Sequence, residues 1–68
     1  MKNSIKLERV RNNLTQAELA DQVKVARQTI IAIEANKFVP STILAFKIAK
    51  ALSCKADDIF QLEETDWE

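Results

Sequence analysis

Between Leu14 and Ala35 the sequence LTQAELADQVKVARQTIIAIEA sets two short helices a few residues apart. Thr15 and Glu18 form a capping box, each side chain suited to the other's orphan backbone N–H, so a helix opens at Thr15. Leu19, Ala20 and Val23 give it the i, i+1, i+4 stripe of a buried face. That helix ends near Val23, Lys24 and Val25 make a bend, and a second helix runs from about Arg27 to Ala35 with Ile30 and Ile33 inward. A turn this short lets the second helix lie across the first, and Ala20 is small enough for a close crossing. Val25 is apolar and can tuck the turn into the core.

The bend is made without glycine, and so is the whole chain. A lysine held left-handed costs on the order of 1 kcal/mol against glycine, so a left-handed Lys24 is a strain that the surrounding motif must outweigh. The rest of the chain also reads as helix. Ser4 suits the N-cap of a first helix running to about Arg11, with Ile5 inward. Asn12 and Asn13 mark its end, since asparagine tolerates the left-handed conformation. Asn36 to Val39 is a loop and Pro40 bars helix before it. Ser41 caps a fourth helix, Thr42 to Leu52, with Leu44, Ala45, Ile48, Ala49 and Leu52 as its core stripe. A short fifth helix, about Asp57 to Phe60, starts with two carboxylates that suit a helix N-terminus. The tail QLEETDWE is either frayed or a short strand, and MKN and FQLEE are candidates for a terminal ladder. The expected fold is all-α, a single five-helix domain over 1–68 with a core of about 5–62 and a tail of 63–68.

A domain of 68 residues buries only about 60% of its unfolded surface, so a partner subunit would help it. No apolar run approaches the roughly 18 residues of a membrane span, and the charged opening MKNSIKLERV is not a signal peptide. Cys54 is the only cysteine, its neighbours suggest a core thiol, and there is no histidine, so a zinc site of the usual ligand types is not expected. A cytoplasmic protein is expected. Net charge is zero but unevenly spread: residues 1–37 carry seven basic and four acidic side chains, residues 38–68 three basic and six acidic. The halves are therefore +3 and −3, either an ordinary surface or a basic face for a polyanion beside a second face for something else.

The crossing of the two helices leaves Arg27, Gln28 and Thr29 at the exposed N-terminal end of the second. In a helix-turn-helix this is the end that enters the DNA major groove. Arginine pairs with guanine O6 and N7, glutamine with adenine N6 and N7, and threonine meets a phosphate or a thymine methyl. Gln16, at the start of the preceding helix, is placed for a phosphate. Asn36 and Lys37, just past the recognition helix, can hold the backbone on the other side.

LTQAELADQVKVARQTIIAIE resembles the DNA-binding motif of the phage repressor and Cro-like family, often called XRE-type, in Gln16, Ala20, Val25, Ile30 and Glu34. KFVPSTILAFKIAKAL and DDIFQ resemble the family's later helices, and the match covers roughly residues 5–62, in a short single-domain branch. The resemblance implies homodimers on near-palindromic operators. It assigns base contacts to Arg27 and Gln28 with Thr29 assisting, and phosphate contacts to Gln16, Asn36 and Lys37. Ala32, one turn along, is placed for a thymine methyl. It also implies an Arg9–Glu34 clip between the first and third helices, where the alternative is two independent surface charges worth well under 1 kcal/mol. The chain departs from the family at Lys24, Asn13 and Ser53, where helix ends often have glycine. It also departs at Glu8, more often apolar, and at Ile43, usually polar. Ile31 lies beside the proposed DNA face.

An enzyme is disfavoured: general acid–base histidine, a glycine-rich phosphate loop and a metal-ligand cluster are all missing, and no cofactor or small-molecule ligand is implied. The second reading is an antitoxin-like or other protein-binding module whose acidic C-terminal half docks a partner. Ile59, Phe60, Leu62 and Trp67 are the candidate dimer surface, because a small domain should not leave several large apolar groups in water.

Overall fold

Four left-handed residues without glycine organise this chain, at Asn13, Lys24, Asn36 and Ser53. The computed structural model describes all 68 residues. Helices α1 (Ile5–Arg11), α2 (Gln16–Val23), α3 (Arg27–Glu34) and α4 (Thr42–Ala51) each end on one of them. The same pair of bonds recurs each time. Behind α1 Asn13 N–H bonds Val10 O at 3.0 Å and Leu14 N–H bonds Arg9 O at 3.0 Å. Behind α2 the bonds are Lys24 to Asp21 at 3.3 Å and Val25 to Ala20 at 3.0 Å. Behind α3 they are Asn36 to Ile33 at 3.0 Å and Lys37 to Ala32 at 2.9 Å. Behind α4 they are Ser53 to Lys50 at 3.1 Å and Cys54 to Ala49 at 2.9 Å. These are Schellman closures, in which the left-handed residue turns the chain so that two orphan carbonyls are satisfied. Lys24 is left-handed at φ 61°, ψ 48°.

The helix starts differ. α2 carries the expected capping box, with Thr15 Oγ1 accepting from Glu18 N–H at 3.0 Å and Glu18 Oε1 from Thr15 N–H at 2.9 Å. Ser41 Oγ accepts from Leu44 N–H at 3.2 Å and caps α4. Ser4 holds the N-cap position of α1 but its side chain caps nothing. Asn3 Oδ1 accepts from Ile5 N–H instead, at 3.2 Å. The boundaries differ by about one residue from expectation: α3 stops at Glu34 and α4 at Ala51, while α5 spans Ala56–Ile59.

The terminal ladder is present but short. β1 (Lys2–Asn3) pairs antiparallel with β2 (Phe60–Gln61), Lys2 opposite Gln61 and Asn3 opposite Phe60. Beyond it the tail is neither frayed nor extended, but makes a 3-10 turn over Glu64–Trp67. The Met1 ammonium holds that turn, 3.0 Å from Glu63 Oε1 and 3.2 Å from Asp66 Oδ2. The hydrogen bonds it donates to these two carboxylates push the amine's pKa up. The Glu63 backbone N–H, then the ammonium, pull that of Asp66 down.

Ten side chains form the core: Ile5, Leu19, Ala20, Val23, Ile30, Ile33, Ile48, Ala49, Leu52 and Ile59. Each helix contributes, so one shared core holds all of them. Leu14, Val25, Leu44 and Phe60 pack around this cluster, half-buried. Ile59 is 0% exposed. It has no surface to offer a partner and drops out of the candidate dimer residues, because the last helix needs it to dock on the domain. Cys54 is half-buried, its Sγ 3.4 Å from Glu8 Oε1 and 3.3 Å from Leu52 O. Burial, then the Glu8 carboxylate, raise the thiol's pKa. Glu8, at a usually apolar position, thus has Cys54 and the Arg11 guanidinium (3.0 Å) as partners. No helix is long and apolar enough to cross a membrane.

Candidate nucleic-acid interface

α3 is held from beneath. Ile30 and Ile33 are wholly buried, which fixes the rotation of the helix and turns Arg27 and Gln28 outward, both exposed. Thr29 and Ala32 follow, half-buried along the border of the same face, and Ile31 is half-buried too. Ala26 occupies the N-cap and offers no side-chain hydrogen bond, so the first amides of α3 keep their positive end open. With its side chains an α-helix is about 10–12 Å across, which fits the roughly 12 Å width of the major groove.

The Lys24 turn sets how α3 leaves α2. Val25 is half-buried against the core, as its apolar side chain suggests, while Lys24 itself stays in solvent. The two helices that the turn joins share the core through Leu19, Ala20, Val23, Ile30 and Ile33.

The Arg9–Glu34 pair is a two-pronged ion pair. Arg9 Nε donates to Glu34 Oε2 at 2.8 Å and Nη2 to Oε1 at 3.3 Å. Nη1 bonds Leu14 O at 2.9 Å, so the same guanidinium also pins the α1–α2 turn. The side chains are 11% and 8% exposed, which removes the reading as independent surface charges. Glu34 is the one acidic residue of α3, and its charge is paired with that of Arg9.

Gln16 joins this cluster: its Nε2 donates to Glu34 Oε1 at 3.3 Å. One amide N–H is used there and the other remains for an incoming oxygen. Gln16 lines an open groove together with Arg9, Asn13, Thr15 and Arg27. Gln16 thus shares one groove with Arg27, from the first turn of α3, and also reaches Glu34 on its last. Asn36 and Lys37 lie just past that last turn, in the Schellman closure of the helix.

Asn3 is a contributor that the sequence did not reveal. Its Nδ2 donates to Ile33 O at 2.8 Å and to Asn36 Oδ1 at 3.0 Å. With its oxygen occupied, Asn36 is left to present its amide donors, the polarity that a phosphate requires. The two residues are far apart in the chain and meet only because β1 runs past the end of α3, so no local pattern could have signalled the contact.

A family model described as Helix-turn-helix matches residues 5–59. An uncharacterized HTH-type transcriptional regulator of Methanocaldococcus jannaschii is 53% identical over 66 residues, covering 97% of this chain and 100% of the relative. The uncharacterized HTH-type transcriptional regulator YgzD of Bacillus subtilis is 50% identical over 64 residues, covering 94% and 97%. Among solved structures, the hypothetical transcription factor NHTF from Neisseria superposes with a TM-score of 0.75 at 30% identity. That match covers 79% of this chain and 61% of the Neisseria chain.

Proposed function

Since the chain belongs to the XRE-type helix-turn-helix family, we propose that it is a sequence-specific double-stranded DNA-binding transcription regulator, acting as a homodimeric repressor. The observation that carries this reading is the exposed Arg27–Gln28 pair on the first turn of a helix whose inner face is locked by Ile30 and Ile33. Arg27 and Gln28 read base edges, with Thr29 and Ala32 beside them. Gln16 at the start of α2, and Asn36 and Lys37 just past α3, hold phosphates and set the register. Two subunits place their α3 helices in successive major grooves, about 34 Å apart, on a near-palindromic operator. Repression follows from occupying a promoter. The relatives' names as transcriptional regulators support the same reading.

Selection of bound duplexes from a random pool tests it. A pair of inverted half-sites about one helical turn apart is the expected product, with affinity that falls steeply as salt rises. A pool that yields no enriched sequence, with no duplex binding at low salt, overturns the reading.

A further inference from the structure

The outer face of α4 does something a solvated helix face does not. Ile43 and Phe46 stand one turn apart on it, 71% and 62% exposed. Together with Ala51 they floor an open groove against the end of α2. Three lysines border that groove, Lys24, Lys47 and Lys50, and no acidic side chain lines it. None of the three makes an ion pair within the chain.

The complementary surface is on the same molecule, at its other charge extreme. Leu62 and Trp67 are 62% and 77% exposed. The segment that carries them contains Glu63, Glu64, Asp66 and Glu68. Glu63 and Asp66 are engaged by the Met1 ammonium, while Glu64 and Glu68 make no ion pair. An apolar floor with a basic rim thus has, as its match, a segment with two exposed apolar side chains among four acidic ones. The tail is tied to β1 and Met1 in its own chain, so the match is made between copies.

We infer that the α4 groove seats the Leu62–Trp67 segment of a second copy, through a reciprocal exchange in which each subunit gives one groove and one tail. Two-fold symmetry makes the contact twice, so that two small apolar seats act together. Opposite charge at the rim orients the approach and rejects the like-charged alternatives of groove on groove and tail on tail. The inference rests on the two-copy assembly of the proposed function and assigns it a surface.

A charge exchange tests it. Lys47→Glu/Lys50→Glu gives one chain an acidic groove and an acidic tail. Glu64→Lys/Glu68→Lys gives another chain a basic groove and a basic tail. All four positions are exposed, so the fold should survive, as circular dichroism would verify. Each variant alone should dimerise on the order of tenfold or more weakly than the wild type in analytical ultracentrifugation. A 1:1 mixture should regain dimerisation, because both of its contacts are then between opposite charges. Trp67 is the single tryptophan, and its emission should shift to the blue as wild-type protein associates. A mixture no tighter than its components, with the wild type dimeric, overturns the groove while leaving the dimer intact. A wild-type protein that stays monomeric at millimolar concentration overturns the second copy as occupant, and retained binding to a single half-site would show that the DNA reading survives. A Trp67 emission that does not move with concentration also overturns the inference.

Discussion

Arg9 and Glu34, on the first and third helices, meet through two hydrogen bonds at 2.8 and 3.3 Å with both side chains almost out of water. Removing one partner leaves the other charge poorly solvated, which for buried pairs costs about 3–5 kcal/mol. Arg9→Ala should therefore destabilise the domain by about 3 kcal/mol in urea unfolding, and should also release Glu34 to repel phosphate. Glu34→Gln, which keeps acceptor and shape, should cost less in DNA affinity than Arg9→Ala does. Equal losses of affinity for the two would argue against a neutralising role for Arg9.

Gln28 and Lys37 are expected to fail differently. Gln28→Ala should cost about 1–3 kcal/mol on the preferred operator and relax specificity there. Lys37→Ala should weaken binding to all sequences alike and lower the salt slope by about one. Competition binding across operator variants at several salt concentrations separates the two. Unchanged sequence preference in Gln28→Ala would remove that residue from base readout.

Lys24 sits at φ 61° where glycine would be unstrained. Relief of about 1–2 kcal/mol is partly offset by the extra unfolded-state freedom of glycine, about 0.4–1 kcal/mol. Lys24→Gly should thus raise stability by roughly 0.5–1 kcal/mol, seen as an increased Tm. A gain this small confines the strain to one turn, and a loss would mean that the lysine stem contributes packing.

The α2 cap should respond to acid. The Thr15 backbone N–H, then its hydroxyl, hold the Glu18 carboxyl below the usual carboxylate range. A depressed folded-state pKa contributes stability that is fully present above the unfolded value of about 4.3. That contribution is lost as pH falls through the folded value. The stability advantage of wild type over Glu18→Ala should accordingly be constant at neutral pH and shrink below about pH 4. Thermal melts at several pH values check this, and an advantage that grows with acid would contradict the cap assignment.

Much of this was legible in local sequence. The Thr15–Glu18 box, the Ser41 cap and the stripes of α2 and α3 depend on residues within a turn or two of each other. In the α4 stripe Ile48, Ala49 and Leu52 are buried as expected, while Leu44 and Ala45 are half-buried. The bend at Lys24 and Val25 was legible too, while its left-handed backbone at Lys24 was settled only by the structure. What escaped was long-range. The Asn3 bonds to Ile33 and Asn36 and the Met1 grip on Glu63 and Asp66 join opposite ends of the chain. Ile59 was misplaced for the same reason. Its apolar character reads equally as interface or interior, and only the docking of α5 decides which. Phe46, exposed on α4, carries a helical spacing that fits either face of an amphipathic helix.

The two-residue ladder between β1 and β2 has a kinetic consequence. Asn3 pairs with Phe60, so it closes nearly the whole chain into one loop, at an entropic cost of about 3–4 kcal/mol by the logarithmic scaling of loop length. Helices α1 to α4 form from near neighbours and need no such closure. The ladder therefore zips after the helical core has brought its ends together, and it unzips first. Amide protons at Lys2 and Gln61 should exchange with solvent well ahead of those in α2 and α4, and with the ladder open the Asn3 hold on Asn36 is lost as well. The Asn3 hold at the far end of α3 thus depends on a ladder that should close late in folding.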